Sequence, residues 1–347
     1  DGFVPVARSL VDLLGQEYVE TACAARAFLS GGKVADLLSA AAAKIDFFPE
    51  PMRARLDSLL GRTGSEVIPA PLRNTAAGAT TAKFAAATRT SAAPLSAFGC
   101  YRVGEDGLLY LTTKSEHYHT PVGHSFPGYG LLDRARELGI PNATHNNTRG
   151  FITRRLEEEL IRTANGLPRG DAAGLAEILS RKDDLYTLNR VLNLETGSLA
   201  AEAALKLILA RFYRMQPEMP PPRYHGRTPV ILVMGNDDGG LQANYHGTTV
   251  LTQMMRGMWP EAHAALDAAN LWKVVPVRPN CREDVDRAFA LYDRGAFKIA
   301  GFFHEIIMMN YGGRRLTRAF LEHAHALCKE RDVPTVVDEI QSCMWAP

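Results

Sequence analysis

The chain has 347 residues, 46% of them hydrophobic and 22% charged, which is enough length and apolar content for two or three packed units around substantial cores. Its 39 basic and 38 acidic residues leave a net charge of +1, so nothing in the charge balance argues for a nucleic-acid partner. No apolar run is long enough to span a membrane. The five cysteines, Cys23, Cys100, Cys281, Cys328 and Cys343, are scattered without CxxC spacing. That pattern disfavours zinc and a disulfide framework and favours a reducing, cytoplasmic setting.

The chain opens with helical spacing. Val6, Leu10, Leu13 and Leu14 recur as one face, and Tyr18, Ala22, Ala25 and Phe28 continue it until Gly31-Gly32. Further helices are expected around Val34–Ile45 and Pro51–Leu60. Residues 74–94 are rich in Ala and Thr and read as a linker, so 1–94 form a helical extension and linker. From Leu95 the texture changes: Phe98–Val103 and Leu108–Leu111 flank Glu105-Asp106-Gly107 as a β-hairpin. His117, His119 and His124 follow near a Gly-Pro turn, and with no Cys or acidic cluster at ligand spacing they read as loop histidines.

Beyond Gly150 helices and strands alternate. Helices are expected at Arg154–Ala164 and Ala172–Ser180 and a short strand at Val191–Leu194. A helix with Leu205, Ile208, Leu209 and Phe212 inward follows, bearing a Glu202–Lys206 pair. Strands at Val230–Met234, Val274–Val277, Ile299–Phe303 and Val336–Val337 are separated by helices near Glu261–Ala269, Glu283–Tyr292 and Leu316–Cys328. Such alternation means an α/β fold, a mostly parallel sheet covered by helices on both faces. The division expected is 1–94, a small-domain β-hairpin segment over 95–139, and a large α/β domain over 140–347.

Three features sit where strands run out. Thr196-Gly197-Ser198 lies between an apolar run and a helix, where Gly permits close approach, the hydroxyls can donate, and the helix N-terminus favours an anion. Tyr245-His246-Gly247 follows a strand and a glycine-rich loop, so an aromatic stands at the sheet edge and could stack on a planar ring. Asp338 and Glu339 end the last strand, with Gln341 one step on. An anion cradle, an aromatic plate and a strand-end carboxylate are together what a pyridoxal phosphate site requires, the carboxylate keeping the pyridine nitrogen protonated.

On these residues the stretch from about 96 to 347 resembles a class III aminotransferase, a fold-type I pyridoxal phosphate enzyme. Thr196-Gly197-Ser198-Leu199-Ala200-Ala201-Glu202-Ala203-Ala204-Leu205-Lys206 is similar to the family's Ser-Gly-Thr-Glu-Ala-x-Glu-Ala-Ala-x-Lys stretch, Tyr245-His246-Gly247 to its aromatic-His-Gly motif, and Asp338-Glu339-Ile340-Gln341 to Asp-Glu-Val-Gln. Gly123-His124-Ser125-Phe126-Pro127 is similar to its Gly-His-x-x-Pro loop. A second Tyr-His-Gly, at Tyr224, precedes its strand, so Tyr245 is preferred. The resemblance implies a cofactor site of Thr196, Gly197, Ser198, Tyr245, His246, Glu305, Asp338 and Gln341. Gly197 and Ser198 would take the phosphate, Tyr245 the ring face, Asp338 the ring nitrogen and Gln341 the ring hydroxyl side, with Glu305 near the cofactor.

The activity implied is transamination between an amino acid or amine and a keto acid or aldehyde, in a homodimer with the site at the interface. Aminomutase, racemase or decarboxylase chemistry on the same fold is the alternative, as is a non-catalytic interaction module or a nucleotide-binding transferase using the Thr196–Ser198 turn. Leu199, Ile306 and Ser342-Cys343 depart from the family's usual Glu, Pro and Thr-Gly. The family's Schiff-base lysine is expected a few tens of residues past Asp338. With Asp as first residue and Pro347 as last, the chain is read as a piece of an enzyme, inactive alone.

Overall fold

A computed structural model of the chain describes residues 4–69, 71–112, 122–142, 147–182, 186–340 and 342. The chain divides into two compact units, Asp1–Leu156 and Glu157–Pro347.

In the first unit, β1 (Ala7–Arg8) pairs antiparallel with β2 (Ile45–Asp46). Helices α1 (Leu10–Leu14), α2 (Gln16–Ser30), α3 (Val34–Ala42) and α4 (Glu50–Leu60) fill in around and after them. The single helical face expected from Val6 onward is corrected here. Ser9 opens α1 with a capping box, its hydroxyl accepting from the Asp12 N–H while the Asp12 carboxylate accepts from the Ser9 N–H. Gly15, at φ 87°, then ends α1 and restarts the helix. The restart shifts the phase, so α2 buries Val19, Cys23 and Ala27, and Phe28 is left 88% exposed.

Residues 74–94 carry the short α-helix α5 (Ala82–Ala87) and a 3-10 turn at Thr90–Ala92, neither of which buries a residue. The expected hairpin is a three-stranded antiparallel sheet, β3 (Pro94–Phe98), β4 (Tyr101–Gly104) and β5 (Leu109–Leu111), in that order. Phe98 pairs with Tyr101 across a turn at Gly99-Cys100, with Gly99 at φ 56°. The stretch expected as one strand, Phe98–Val103, is therefore two. The helix α6 (Gly130–Glu137) follows, and α7 (Phe151–Ala164) begins in this unit.

The second unit contains α8 (Ala172–Ser180), α9 (Gly197–Leu209), β6 (Thr228–Met234), α10 (Val250–Met255), α11 (Pro260–Ala268) and β7 (Lys273–Val277). After these come α12 (Arg282–Tyr292), β8 (Phe297–Glu305), the small antiparallel pair β9 (Ile307–Met308) and β10 (Arg314–Arg315), α13 (Arg318–Glu330) and β11 (Thr335–Asp338). β6, β7, β8 and β11 form one parallel sheet in the order β11-β8-β6-β7.

Every residue of β6 is buried, because both faces of a parallel sheet are covered by helices. Val230, Leu232 and Met234 join Phe289 of α12 and Phe320 and Ala324 of α13 in one core. Ile231 and Val233 turn the other way to meet Leu205 and Ile208 of α9 and Met254 and Met255 of α10. The strand expected at Val191–Leu194 is not one. These residues pair with no strand, and Leu192 is 67% exposed, because alternation alone, without a covered face, gives a segment no reason to join a sheet. Among the described residues no helix is long and apolar enough to cross a membrane, and no group of three or more His, Cys, Asp or Glu could hold a metal ion.

Candidate active site

Two carboxylates come together where the sheet ends. β11 and β8 run parallel in a register that sets Asp338 beside Glu305. Ligands of open α/β sheets bind outside the carboxyl ends of strands, and Asp338 is held there on both oxygens. Its Oδ2 is 3.0 Å from His246 Nδ1, and its Oδ1 accepts from the Ile340 N–H at 3.2 Å. An ionised carboxylate only accepts, so the proton lies on His246 Nδ1. The imidazole is 4% exposed and lies 5.7 Å from the Phe303 ring.

The loop after β6 delivers His246. Asn236 Oδ1 accepts from the Ala243 N–H at 2.7 Å, and the buried Asn244 side chain donates to the Met255 carbonyl at 3.0 Å, fixing the approach. Gly247 then passes directly against the start of α9. It sits at φ 116°, and a Cβ placed on it would lie 2.4 Å from Ser198 Oγ and 2.6 Å from Ser198 Cα. No other residue fits both that conformation and that contact. Ser198 Oγ accepts from the Thr248 N–H at 3.0 Å, the Gln253 amide donates to the Gly247 carbonyl, and Thr249 Oγ1 donates to Glu202 Oε2 at 2.5 Å. Glu202, expected to pair with Lys206, thus ties α9 to the loop.

α9 begins at Gly197 with Thr196 as N-cap, and Thr196 makes no side-chain capping bond. A Cβ on Gly197 would meet nothing within 4 Å, so the helix start is open there, where a helix carries N–H groups without an intrahelical partner. Between this turn and the sheet end lies a cleft of about 230 Å³, bounded by Gly197, Ala200 and Ala201 on one side and His246, Val337 and Asp338 on the other.

Glu305 is 3% exposed, and its Oε1 accepts from the Met309 N–H at 3.3 Å. Burial first, and then the neighbouring Asp338 charge, push its carboxyl up to about 8, against the pull of the Met309 bond. At pH 7 the Glu305 carboxyl is therefore mostly protonated. His304 points to the opposite face of β8, where its Nε2 lies 2.8 Å from His325 Nε2 and its Nδ1 3.1 Å from the Glu305 carbonyl. The carbonyl only accepts, so His304 is protonated on Nδ1 and its Nε2 accepts from His325.

Of the residues expected from sequence, Gly197, His246 and Asp338 line the cleft. Ser198 adjoins it through Gly247 and Thr248, Thr196 caps the helix behind it, and Glu305 lies beside Asp338. Tyr245 stands apart: its half-buried ring lies 5.3 Å from the Arg256 guanidinium, outside the cleft lining. Gln341, like His117 and His119, lies outside the described residues. Tyr224, of the second Tyr-His-Gly, packs on Phe212 and donates to Asp332. Sequence reading missed the walls Ala200 and Ala201, whose small size next to Gly197 was the available signal. It also missed the His304–His325 pair, for which a separation of 21 residues gives none.

The Aminotransferase class-III family model matches residues 84–344. No curated protein matches the chain. Among solved structures, the chain is similar to adenosylmethionine-8-amino-7-oxononanoate aminotransferase from Methanocaldococcus jannaschii. The identity is 20% over 83% of this chain and 55% of that one, with a TM-score of 0.48. A PMP-bound aminotransferase from Vibrio fluvialis matches at 19% identity over 76% and 54%, TM-score 0.46. A transaminase from the marine bacterium Virgibacillus matches at 15% over 75% and 52%, TM-score 0.49. The chain thus spans about half the length of these structures.

Proposed function

The chain belongs to the class III aminotransferases, whose cofactor is pyridoxal phosphate, and on that premise we propose that the cleft at the sheet end binds pyridoxal phosphate for amino transfer. The substrates are an amino acid or amine as donor and a keto acid or aldehyde as acceptor. The observation that carries the reading is Asp338. A strand-end carboxylate, bonded by a buried His246 at 3.0 Å, faces the open first turn of α9 across the cleft.

The donor set suits the cofactor at both ends. Gly197 leaves room where a phosphate would meet the N–H groups of α9, and the helix start favours its charge. Ser198 Oγ already accepts from Thr248, so its own proton is available to a phosphate oxygen. At the other end Asp338 would hold the proton on the pyridine nitrogen, and the His246 bond keeps the carboxylate turned to that task. Neutral Glu305 leaves Asp338 as the one negative charge of the adjacent pair. Ala200, Ala201 and Val337 offer flat, small walls to a planar ring. When bound, pyridoxal phosphate supplies an electron sink for the carbanion left when a substrate loses its proton. With the ring of Tyr245 resting at Arg256, its stacking role requires that it leave that guanidinium.

The test adds pyridoxamine phosphate to the chain and follows the shift of the cofactor's absorption and fluorescence on binding. A saturable shift is expected, with Asp338→Asn needing at least about tenfold more cofactor to reach half of it, the share of one charge-assisted bond. No shift, or one equal in Asp338→Asn and the parent, contradicts the reading.

A further inference from the structure

The first unit holds a concavity that the cofactor reading does not use. Its volume is about 460 Å³, inside the roughly 300–1,000 Å³ range of small-molecule sites. It lies over a satellite core in which only Leu59, Tyr101 and Leu109 are fully buried, with Phe98 and Val103 packed against them. So thin a core leaves Val67, Ile68, Phe98 and Val103 only partly buried along the space, apolar surface without a covering group.

Charge at the rim is of one sign. Arg55, Leu59 and Arg62 follow at i, i+4 and i+7 through α4 and the turn after it, which stacks them along one face. Leu59 forms floor, with an arginine a turn away on each side. Arg102 of β4 also lines the space, and its guanidinium lies 6.0 Å from the Tyr110 ring. None of the residues lining it is acidic. Among the described residues, neither Arg55 nor Arg62 is held in an ion pair, and the Arg55 contact to Ser58 Oγ is long, at 3.5 Å.

We propose that this concavity binds a small organic carboxylate, its hydrocarbon body on Val67, Phe98 and Val103 and its carboxylate between Arg55 and Arg62. A guanidinium fork matches a carboxylate in bidentate geometry, and the apolar floor selects a ligand with a hydrocarbon tail over a bare anion.

Octanoate is the probe, titrated calorimetrically into the full 347-residue chain, with 1-octanol as its neutral counterpart. Saturable octanoate binding is expected. Octanol and an Arg55→Gln/Arg62→Gln variant are each expected to bind at least about tenfold more weakly, the share of one charge-assisted bond. Both arginines are exposed, so the variant keeps the parent's circular dichroism and melting temperature. Saturating pyridoxamine phosphate leaves octanoate binding unchanged. Absent binding, equal binding by the variant, or displacement by pyridoxamine phosphate each overturns the proposal.

Discussion

Gly247 and Glu305 carry the sharpest consequences at the scale of single residues. Gly247→Ala puts a methyl group into Ser198 at a positive φ, so it is expected to part the loop from α9. Pyridoxamine phosphate binding should fall by more than tenfold and stability by about 1–3 kcal/mol; unchanged binding would contradict the packing described. Glu305 and His304 shape the pH dependence in opposite senses. Glu305, raised from 4.5 to about 8, holds a proton in the native state that the unfolded chain has lost. Its stabilising effect is complete below pH 4.5 and is lost as pH rises toward 8. His304, lowered by burial from 6.5 to about 3, binds its proton in the unfolded chain first, so stability is lost as pH falls below 6.5. The two slopes oppose each other between 4.5 and 6.5, where His325, also lowered by burial, adds to the loss on the acid side. For urea unfolding measured across pH, a net decline of about 1 kcal/mol in all is expected from pH 6.5 to 8, because native Glu305 itself begins to ionise toward 8. Glu305→Gln should flatten that limb, and a slope that survives the substitution would rule out Glu305 as its source.

At the scale of elements, α9 and the strands β8 and β11 bound the candidate site, and their legibility differed. β6, β8 and α13 could be read from sequence because burial on both faces writes continuous apolar runs such as Val230–Met234, and burial on one face writes Phe320 and Ala324 at helical spacing. The break at Gly99-Cys100 lay inside an apolar run, and Gly15 reset a helical phase that hydrophobic spacing alone carries straight through. For the site, Gly197, His246 and Asp338 were accessible because each belongs to a recognisable motif. What holds them was not: the His246–Asp338 bond joins positions 92 apart, and the Arg256 partner of Tyr245 lies beyond α10. α9 itself is anchored by Leu205, fully buried between helix and sheet. Leu205→Ala is expected to cost about 2–5 kcal/mol of unfolding free energy in urea; a loss under about 1 kcal/mol would mean that α9 is not packed as described.

The whole molecule is two compact units, and residues 73–91 of the first are exposed almost throughout, with α5 burying none of its side chains. Brief trypsin treatment is expected to place Arg73, Lys83 and Arg89 among the first cut sites, read by mass spectrometry. First cuts inside β6 or β8 would contradict the burial of the sheet. The central claim is that the cleft between α9 and the ends of β8 and β11 is a cofactor site. The measurement that tests it most directly is calorimetric titration of the chain with pyridoxamine phosphate, which needs no imine with a lysine to bind. One saturable site is expected, weakened at least about tenfold by Asp338→Asn at the ring end and by Ser198→Ala at the phosphate end. Binding that is absent, or equal in the parent and both variants, would contradict it.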